Sequence, residues 1–352
     1  MSGDRLGTLP GHRYFICLGD KSPPIPWDLD DEAQLVRFDC VYFGRVFRAM
    51  ERDVRSPALT VYLTWDLHEL PSYGDDVVAV VLGDEDSHLP VYVDRVRAVF
   101  KCYGTRPFIG SNPLRDRTWL SVLVWLQGMR RHVGHLPDDR RAVGLRLRGR
   151  RIPPVVHIPL GYYNQLDLPL TPFAERRTSV FFAGSLERRE RSRISPRYWI
   201  RMPKPVARAQ MLDGLAAFRR RHPSEPVRVR LTPTFSATRR DDAPLYSREL
   251  MDSRICLVPR GASAETFRFF EALRYGCVVV CERQPPTPFY AGSPAVVIDR
   301  WSELPGVLAA LLRDPAELLA RHERSLEWWR DRCSEAAVGA LLAARINVAN
   351  GH

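Results

Sequence analysis

Residues 254–280 read RICLVPRGASAETFRFFEALRYGCVVV, and this stretch decides the fold that we expect for the second half of the chain. An apolar run enters a short polar turn, and an amphipathic segment, a glycine and a second apolar run follow. A helical segment between two short apolar runs is typical of the βαβ unit of a parallel sheet. The stretch therefore predicts a strand over 255–258, a helix from Thr266 to Gly276 and a strand over 277–281.

The two ends of the predicted helix carry different signals. Gly276 stands where the helix ends, and glycine adopts the left-handed backbone of a C-cap without strain. At the other end, the first N–H groups have no intrahelical partner and favour a phosphate, to which Arg260 and Arg268 can add charge-assisted hydrogen bonds. Glu271, one turn after Phe267, can accept hydrogen bonds from two neighbouring hydroxyls, as on a ribose. A plain βαβ unit with surface ion pairs explains the same spacing.

Strands and helices alternate along all 352 residues, a length that suggests two domains. The predicted strands of the first half are RYFICLG (13–19), LTVYLTWD (59–66), DVVAVVLGDED (76–86) and PPVVHIPLGYY (153–163). A proline-containing segment over 164–179 follows and is predicted to be an exposed linker. The alternation then resumes with SVFFAGS and VRVRLTP, and helices end the chain. The pattern predicts an α/β protein with two Rossmann-like domains, 1–165 and 166–352, that face each other across a cleft.

The charge of the chain is strongly basic and comes almost entirely from arginine. Lysine and arginine number 52 against 41 aspartates and glutamates, which gives a formal net charge of +11. Two basic clusters lie at 129–151 and 186–201, but both contain acidic residues and neither matches a known nucleic-acid-binding motif. Because the arginine fork matches phosphate oxygens, we expect a small phosphorylated ligand rather than nucleic acid.

Cysteine usage and hydropathy both indicate a cytoplasmic protein. The seven cysteines include no CxxC pair and several lie in apolar runs, which predicts buried, unpaired thiols and no zinc site. The N-terminus lacks an apolar signal core, and no apolar run is long enough to span a bilayer. The sequence does not indicate the oligomeric state.

Ligands of open α/β sheets bind beyond the carboxyl ends of the strands. The residues that this rule places on one wall of the predicted cleft are Asp20, Asp66, Asp84 and Tyr162, and those on the other wall are Gly184, Arg260 and Gly261.

Residues 256–289 resemble the signature of exostosin-family glycosyltransferases. The shared features are Cys-Leu-x-Pro-Arg-Gly, Ser-x-x-x-Phe-Arg, Phe-Glu-Ala-Leu and Gly-Cys before a β-branched strand. RQPPTPFY (283–290) and RRTSVFFAGS (176–185) also resemble parts of this family. The resemblance covers about residues 155–300 and is weak before residue 150. It implies a GT-B fold in which domain 166–352 holds a nucleotide-sugar donor and domain 1–165 holds the acceptor.

The resemblance also implies a donor site. Its residues are Gly184, Arg188, Arg260, Gly261, Ser263, Glu265, Thr266, Phe267, Arg268 and Glu271, with Gly184 and Arg188 on the diphosphate side. The implied donor is a UDP-, dTDP- or GDP-linked sugar, and no metal is required. Animal members of the family resemble anchored, disulfide-bonded secretory proteins, whereas this chain shows neither feature. We therefore expect a cytoplasmic bacterial enzyme that acts on a small natural product or a surface-glycan precursor.

Inverting transfer of a hexosyl or deoxyhexosyl group requires a base that takes the proton of the acceptor hydroxyl. Two loops that follow strands of the first half contain side chains that can act as this base. The loop GDEDSH (83–88) contains Asp84, Glu85, Asp86 and His88. The loop WDLHELP (65–71) contains Asp66, His68 and Glu69. Asp84 and Glu85 are the first choices because they directly follow the clearest strand, and Glu69 is the third. Residues of these types more often cap loops or face solvent.

Two other interpretations remain open at the level of sequence. Asp84 and Asp86 have the Asp-x-Asp spacing that holds Mn²⁺ on a nucleotide sugar in the single-domain GT-A type of glycosyltransferase. Alternatively, the chain is a non-catalytic protein that binds nucleotides or nucleic acid through its arginine-rich patches.

Overall fold

The computed structural model describes residues 11–19, 22–31, 33–34, 40–150, 152–163, 165–185, 203–232 and 243–348. The strands are β1 (Arg13–Cys17), β2 (Ile25–Pro26), β3 (Thr60–Thr64), β4 (Gly74–Val81), β5 (Val96–Lys101), β6 (Val155–His157), β7 (Thr178–Ser185), β8 (Val227–Thr232), β9 (Ser253–Val258), β10 (Val278–Glu282) and β11 (Val296–Ile298). The helices are α1 (Val41–Glu51), α2 (Pro113–Asp116), α3 (Trp119–Leu147), α4 (Pro203–Arg221), α5 (Ala243–Met251), α6 (Phe267–Arg274), α7 (Leu304–Arg313), α8 (Pro315–Trp328) and α9 (Glu335–Val348).

Residue contacts divide the chain into two compact units. The first contains Met1–Arg106, Gly134–Pro159 and Glu335–His352, and the second contains Pro107–Val133 and Leu160–Ser334. The predicted break after residue 165 lies close to the change of unit after Pro159. The chain also changes unit after residues 106, 133 and 334, which the sequence pattern does not indicate.

The described part of the first unit contains a sheet of six strands in the order β2-β1-β3-β4-β5-β6. All neighbours are parallel except β1 and β2. The last five residues of β4, Val77 to Val81, are each at most 1% exposed, as expected for a parallel strand that is covered on both faces.

Helices α1 and α9 pack together in the first unit through Gly339. A Cβ atom at Gly339 would lie 2.6 Å from Ala49 Cβ and 2.8 Å from Met50 N. Only a residue without a side chain allows the two helices to approach so closely. The C-terminal helix therefore belongs to the unit that contains the N-terminal strands.

In the described part of the second unit, five parallel strands have the order β11-β10-β9-β7-β8. The chain moves from β7 outward to β8 and then returns to the other side of β7 to form β9. The order therefore reverses between β7 and β9. Phe182, Leu257 and Val280 from the sheet and Leu215 and Trp301 from the helical side are buried in one core.

These arrangements confirm the prediction of an α/β protein with two parallel-sheet domains and C-terminal helices. The predicted βαβ unit is also correct, because β9, α6 and β10 match the predicted strand, helix and strand within a few residues. Gly276 has a φ of +70°, and the N–H of Cys277 donates to Ala272 O at 2.8 Å. Gly276 therefore ends α6 in the left-handed conformation that the sequence predicts.

Replacing Gly276 by alanine is expected to destabilise the second unit. The left-handed backbone disfavours a side chain, and a Cβ atom would lie 2.5 Å from the buried His322 ring. The expected loss is about 2 kcal/mol in the free energy of unfolding, measured by urea titration. Gly306→Ala in α7 is the control, since a Cβ atom there meets nothing within 4 Å. If Gly306→Ala lowered the free energy of unfolding as much as Gly276→Ala does, the argument would be contradicted.

The basic cluster at 129–151 is largely helical, because α3 continues from Trp119 to Leu147 and arginine is a good helix former. One segment differs from the sequence-based expectation, since the predicted exposed linker packs against the second unit. Arg176 is 1% exposed and donates to the backbone oxygens of Ser253 at 2.9 Å and Tyr275 at 2.5 Å. A buried guanidinium needs these acceptors, so they fix the segment in place.

The cysteines agree with the expectation of buried, unpaired thiols. All seven cysteines are free and buried. Within the described ranges, no helix combines the length and the apolar character that crossing a bilayer requires.

Candidate functional site

The reversal of strand order in the second unit defines the candidate site. β7 and β9 are parallel neighbours, so their carboxyl ends lie at the same edge of the sheet. Gly184 is near the end of β7, and Arg260 follows β9 closely. Helix α6 begins at Phe267, after the turn that leaves β9. Open α/β sheets bind ligands at such a switch point.

Two arginines converge on Gly184. A Cβ atom at this residue would lie 2.9 Å from Arg268 Nη2 and 3.4 Å from Arg208 Nη1. The Arg268 guanidinium lies 5.3 Å from the centre of the Phe182 ring, and its buried Nε has no hydrogen-bond partner among the described residues. Arg208 also donates to the backbone oxygen of Ser185, so its charge is fixed beside the bare backbone of Gly184, and an anion that approaches there meets both cationic groups.

Two side chains of α3 hold the turn that precedes α6 in place. Gln127 Nε2 and Arg131 Nη2 donate to Ala262 O at 3.1 and 3.2 Å. Thr266 is the N-cap residue of α6, but its side chain makes no capping hydrogen bond, and the first turn of the helix contains no acidic residue. The positive end of the α6 dipole is therefore not balanced by the helix's own side chains.

Glu271 is buried inside the second unit and is hydrogen-bonded there. Its side chain accepts from Tyr163 N at 3.2 Å and from the Tyr246 hydroxyl at 2.7 Å, one bond to each carboxylate oxygen. Burial raises the pKa of Glu271, and the Tyr246 hydrogen bond and the Arg268 charge oppose that rise. Each carboxylate oxygen keeps a further lone pair that can accept a ligand hydroxyl.

Arg260 has a second role that the sequence does not indicate. It is 5% exposed, and its guanidinium donates to Gln127 Oε1 at 3.1 Å and lies 3.9 Å from Glu282 Oε2. Burial raises the pKa of Glu282, while the Arg260 charge and the Trp301 indole N–H, 2.8 Å away, oppose this. Arg260 therefore compensates a buried carboxyl group, and its removal would affect folding as well as any ligand.

The structure brings most of the predicted donor-site residues to one edge of the second unit. The residues at this edge or in α6 directly behind it are Gly184, Arg260, Gly261, Ser263, Glu265, Thr266, Phe267, Arg268 and Glu271. Arg188 lies outside the described residues. Their role in donor binding stays a prediction.

Sequence reasoning missed two residues of this cluster, Arg208 and Tyr246. Arg208 lies among the buried positions of α4, which include Ala207, Met211 and Leu215. An arginine on the apolar face of an amphipathic helix is a signal that the sequence did contain. Tyr246 follows no comparable pattern in α5.

The candidate bases follow β3 and β4 at the carboxyl edge of the first unit, as the sequence predicts. Asp84 has a φ of +74°, and one of its carboxylate oxygens accepts from His88 N at 2.5 Å and lies 2.9 Å from Lys101 Nζ. The Lys101 side chain is fully buried and that of Asp84 is 7% exposed. This ion pair gives Asp84 a structural role whether or not it is also a base.

Glu85 and Glu69 are the other two candidates. Glu85 is half-buried and Glu69 is exposed. The neighbouring Asp66 stabilises its own loop, because its Oδ1 accepts from His68 N at 2.7 Å and from Glu69 N at 3.4 Å. The catalytic assignments of Asp84, Glu85 and Glu69 stay predictions.

The Asp-x-Asp pair does not have the surroundings of a metal site. Lys101 already contacts the Asp84 carboxylate, so a cation there would displace or repel a buried ammonium group. Asp86 is exposed. Across the described ranges, no three His, Cys, Asp or Glu side chains are grouped closely enough to hold a metal ion.

Asp84→Asn is expected to destabilise the first unit. The amide keeps an acceptor for His88 N but removes the negative charge beside the buried Lys101 ammonium, at a cost of about 1–2 kcal/mol in the free energy of unfolding. Denaturant titration measures the change. Asp86→Asn, at an exposed neighbouring position, is the control. If Asp84→Asn were as stable as Asp86→Asn and the parent, Asp84 would have no structural role.

The second unit has the strand order and the switch point of an open, doubly wound α/β sheet. Residues 151–290 match the pattern of the Exostosin GT47 domain. This match confirms the resemblance carried by residues 256–289. No curated protein matches the chain.

Two solved structures are similar to the chain at low sequence identity. One is the GtfA/B complex, with 11% identity and a TM-score of 0.42, for which the match covers 88% of this chain and 61% of that chain. The other is the glycosyltransferase SnogD from Streptomyces nogalater, with 16% identity and a TM-score of 0.36, covering 87% of this chain and 76% of that one. The chain thus spans less than two thirds of the length of the first.

Proposed function

We propose that the chain transfers a sugar from a nucleotide-sugar donor to a hydroxyl group, with the donor bound at the switch point of the second unit. The observation that carries this proposal is the convergence of Arg268 and Arg208 on Gly184. In this place the two guanidinium groups and the uncapped start of α6 can neutralise a diphosphate. The exostosin GT47 match over the same unit supports the assignment.

The same groups suit the chemistry of the leaving group. Glycosyl transfer releases a nucleoside diphosphate, whose developing charge is stabilised by fixed cations and N–H donors. No acceptor among the described residues competes for Arg268 Nε, so a phosphate oxygen that contacts the guanidinium displaces no hydrogen bond at that atom. Glu271 accepts ribose hydroxyls through its remaining lone pairs, while Tyr163 and Tyr246 hold it in place.

The finer parts of the proposal concern the acceptor and the stereochemistry. We propose inverting transfer of a hexosyl or deoxyhexosyl group from a UDP-, dTDP- or GDP-linked sugar, without a required metal. The acceptor is a small natural product or a surface-glycan precursor of a bacterium. Non-catalytic binding of nucleic acid is not favoured. The arginines of the site lie together in one buried place, whereas nucleic acid requires many phosphate contacts along an extended surface.

A melting-temperature panel of nucleoside diphosphates, nucleotide sugars and oligonucleotides tests the proposal without knowledge of the acceptor. Nucleoside diphosphates are expected to raise the melting temperature, because a ligand that binds only the folded state stabilises it. One base is expected to act more strongly than the others. Stabilisation by oligonucleotides alone would favour the non-catalytic alternative.

Glu271→Gln is expected to raise the donor's dissociation constant about tenfold, or 1.4 kcal/mol. The amide keeps the size of the side chain but loses the charge that strengthens hydrogen bonds from ribose hydroxyls. Because burial raises the pKa of Glu271, the parent should also lose affinity on acidification at a higher pH than an ordinary carboxylate would, as the carboxyl group gains a proton. Calorimetric titration at several pH values measures both effects. A variant that binds as tightly as the parent would exclude this role.

A further inference from the structure

The part of helix α3 that lies in the second unit carries an exposed apolar face. At about 100° of rotation per residue, Leu126 and Met129 lie within about 40° of Val122 around the helix axis. Trp119 and Trp125 lie about 60° from Val122, one on each side. Both tryptophans, Leu126 and Met129 are between 38% and 49% exposed. We call these five residues the tryptophan-edged face, which lies wholly within one unit and ends before the proline of the helix.

The other side of the same helical segment packs against the second unit. The residues of that side that are at most 7% exposed are Leu120, Ser121, Leu123 and Val124. Gly128 approaches the chain most closely, since a Cβ atom there would lie 2.8 Å from Ile109 Cγ1. Gln127 and Arg131, also on this side, hold the turn that precedes α6. The core and the turn therefore use one side of the segment, and the tryptophan-edged face is left toward solvent.

We propose that the tryptophan-edged face binds the surface of an anionic bilayer, with the helix lying in the plane of the membrane. A helix in this orientation places the centre of its apolar face among the acyl chains and the edges of that face at the headgroups. Val122, Leu126 and Met129 form the aliphatic centre. Trp119 and Trp125 form the two edges, and tryptophan is the residue that prefers the headgroup level of a bilayer.

The charges around this face complement anionic lipid. Residues 107–133, all of which the structure describes, contain one acidic residue, Asp116, and it is only 7% exposed. The arginines of the same segment include Arg115, Arg117 and Arg130, which are exposed. Arg130 borders the face at one edge, and the Arg115 side chain, 3.5 Å from Asp299, is 67% exposed. Exposed cations without exposed acidic neighbours are attracted to the negative potential of an anionic membrane surface.

The width and the charge of the face favour lipid over a second copy of the chain. The two tryptophans are about 120° apart around the helix axis, whereas a helix that pairs with another helix needs only a narrow apolar seam. The net charge of +11 also opposes the approach of a second copy and favours an anionic surface. Pairing of two chains through this face is therefore an outcome that the test must distinguish.

Vesicle flotation tests the proposal and needs neither donor nor acceptor, so its result is independent of the proposed function. The parent is expected to bind vesicles of phosphatidylglycerol and phosphatidylcholine, less well as salt is added, and not to bind vesicles of phosphatidylcholine alone. Leu126→Glu should weaken binding about tenfold or more, and Arg130→Gln about fivefold. Leu319→Glu in α8 is the matched control, 43% exposed against 40% for Leu126, and should bind nearly as the parent does. All three variants should keep the parent's melting temperature.

Quenching of tryptophan fluorescence by brominated acyl chains tests which surface enters the bilayer. The parent should be quenched on anionic vesicles, and Trp119→Phe combined with Trp125→Phe should remove most of the quenching while vesicle binding persists. A parent that does not bind anionic vesicles, or a Leu126→Glu variant that binds them as tightly as the parent, would overturn the proposal. Equal quenching of the parent and the double phenylalanine variant would place the contact elsewhere and overturn it too. A parent that is dimeric by light scattering and becomes monomeric in Leu126→Glu would assign the face to a second copy instead.

Discussion

Arg268→Ala is expected to weaken nucleoside diphosphate binding by about 10- to 150-fold, which corresponds to the roughly 1.5–3 kcal/mol of a hydrogen bond to a charged group. The reason is geometric as well as electrostatic. Arg268 lies in the first turn of α6, its guanidinium points toward the bare backbone of Gly184, and no acidic side chain of that turn neutralises it. Isothermal titration with the most stabilising diphosphate of the melting panel measures the loss.

The fold should survive this change, because Arg268 is only partly buried and the hydrogen bonds from Tyr163 and Tyr246 still hold the buried Glu271 when the Arg268 charge is lost. Arg313→Ala, at an exposed position at the end of α7, is the matched control and should bind like the parent. Arg260→Ala is a poorer test, because it leaves the buried Glu282 without its compensating charge. Unchanged affinity in Arg268→Ala would remove the donor site from the switch point.

Glu85→Gln is expected to lower turnover by about 10²–10⁴ and to leave donor affinity nearly unchanged. A general base acts only while the acceptor proton moves, so its loss affects the transition state rather than the bound donor. Glu85 is tested first because the Asp84 carboxylate is already paired with Lys101. The measurement is release of nucleoside diphosphate in the presence of an acceptor, combined with a separate titration of the donor.

The matched controls for this prediction are neighbouring carboxyl groups. Asp86→Asn is exposed and should turn over normally, and Glu69→Gln tests the remaining candidate on the loop that follows β3. If Glu85→Gln and Glu69→Gln both retain full turnover, the base is neither of these groups. A parallel loss of donor affinity in Glu85→Gln would indicate a binding or folding role instead.

The sequence determined the local architecture of the second unit. The β-branched runs, the helical segment between them and Gly276 each have short-range causes, namely strand burial, amphipathic spacing and the left-handed C-cap. For this reason the sequence predicts β9, α6 and β10 to within two residues at each end. The same stretch contains the arginines and the glutamate of the turn and of α6, and their role in donor binding is implied by the resemblance to the exostosin family.

Only the tertiary structure decided which distant residues meet. Arg208 and Tyr246 reach the site from helices α4 and α5, and Gln127 supports the turn from α3. α9 packs in the first unit because Gly339 allows close contact with α1, although the chain order places it last. Asp84 and Lys101 pair because β4 and β5 are neighbours in the sheet. Such contacts depend on the order of the strands in each sheet and on the packing of distant elements. The spacing of residues along the chain predicts neither of them.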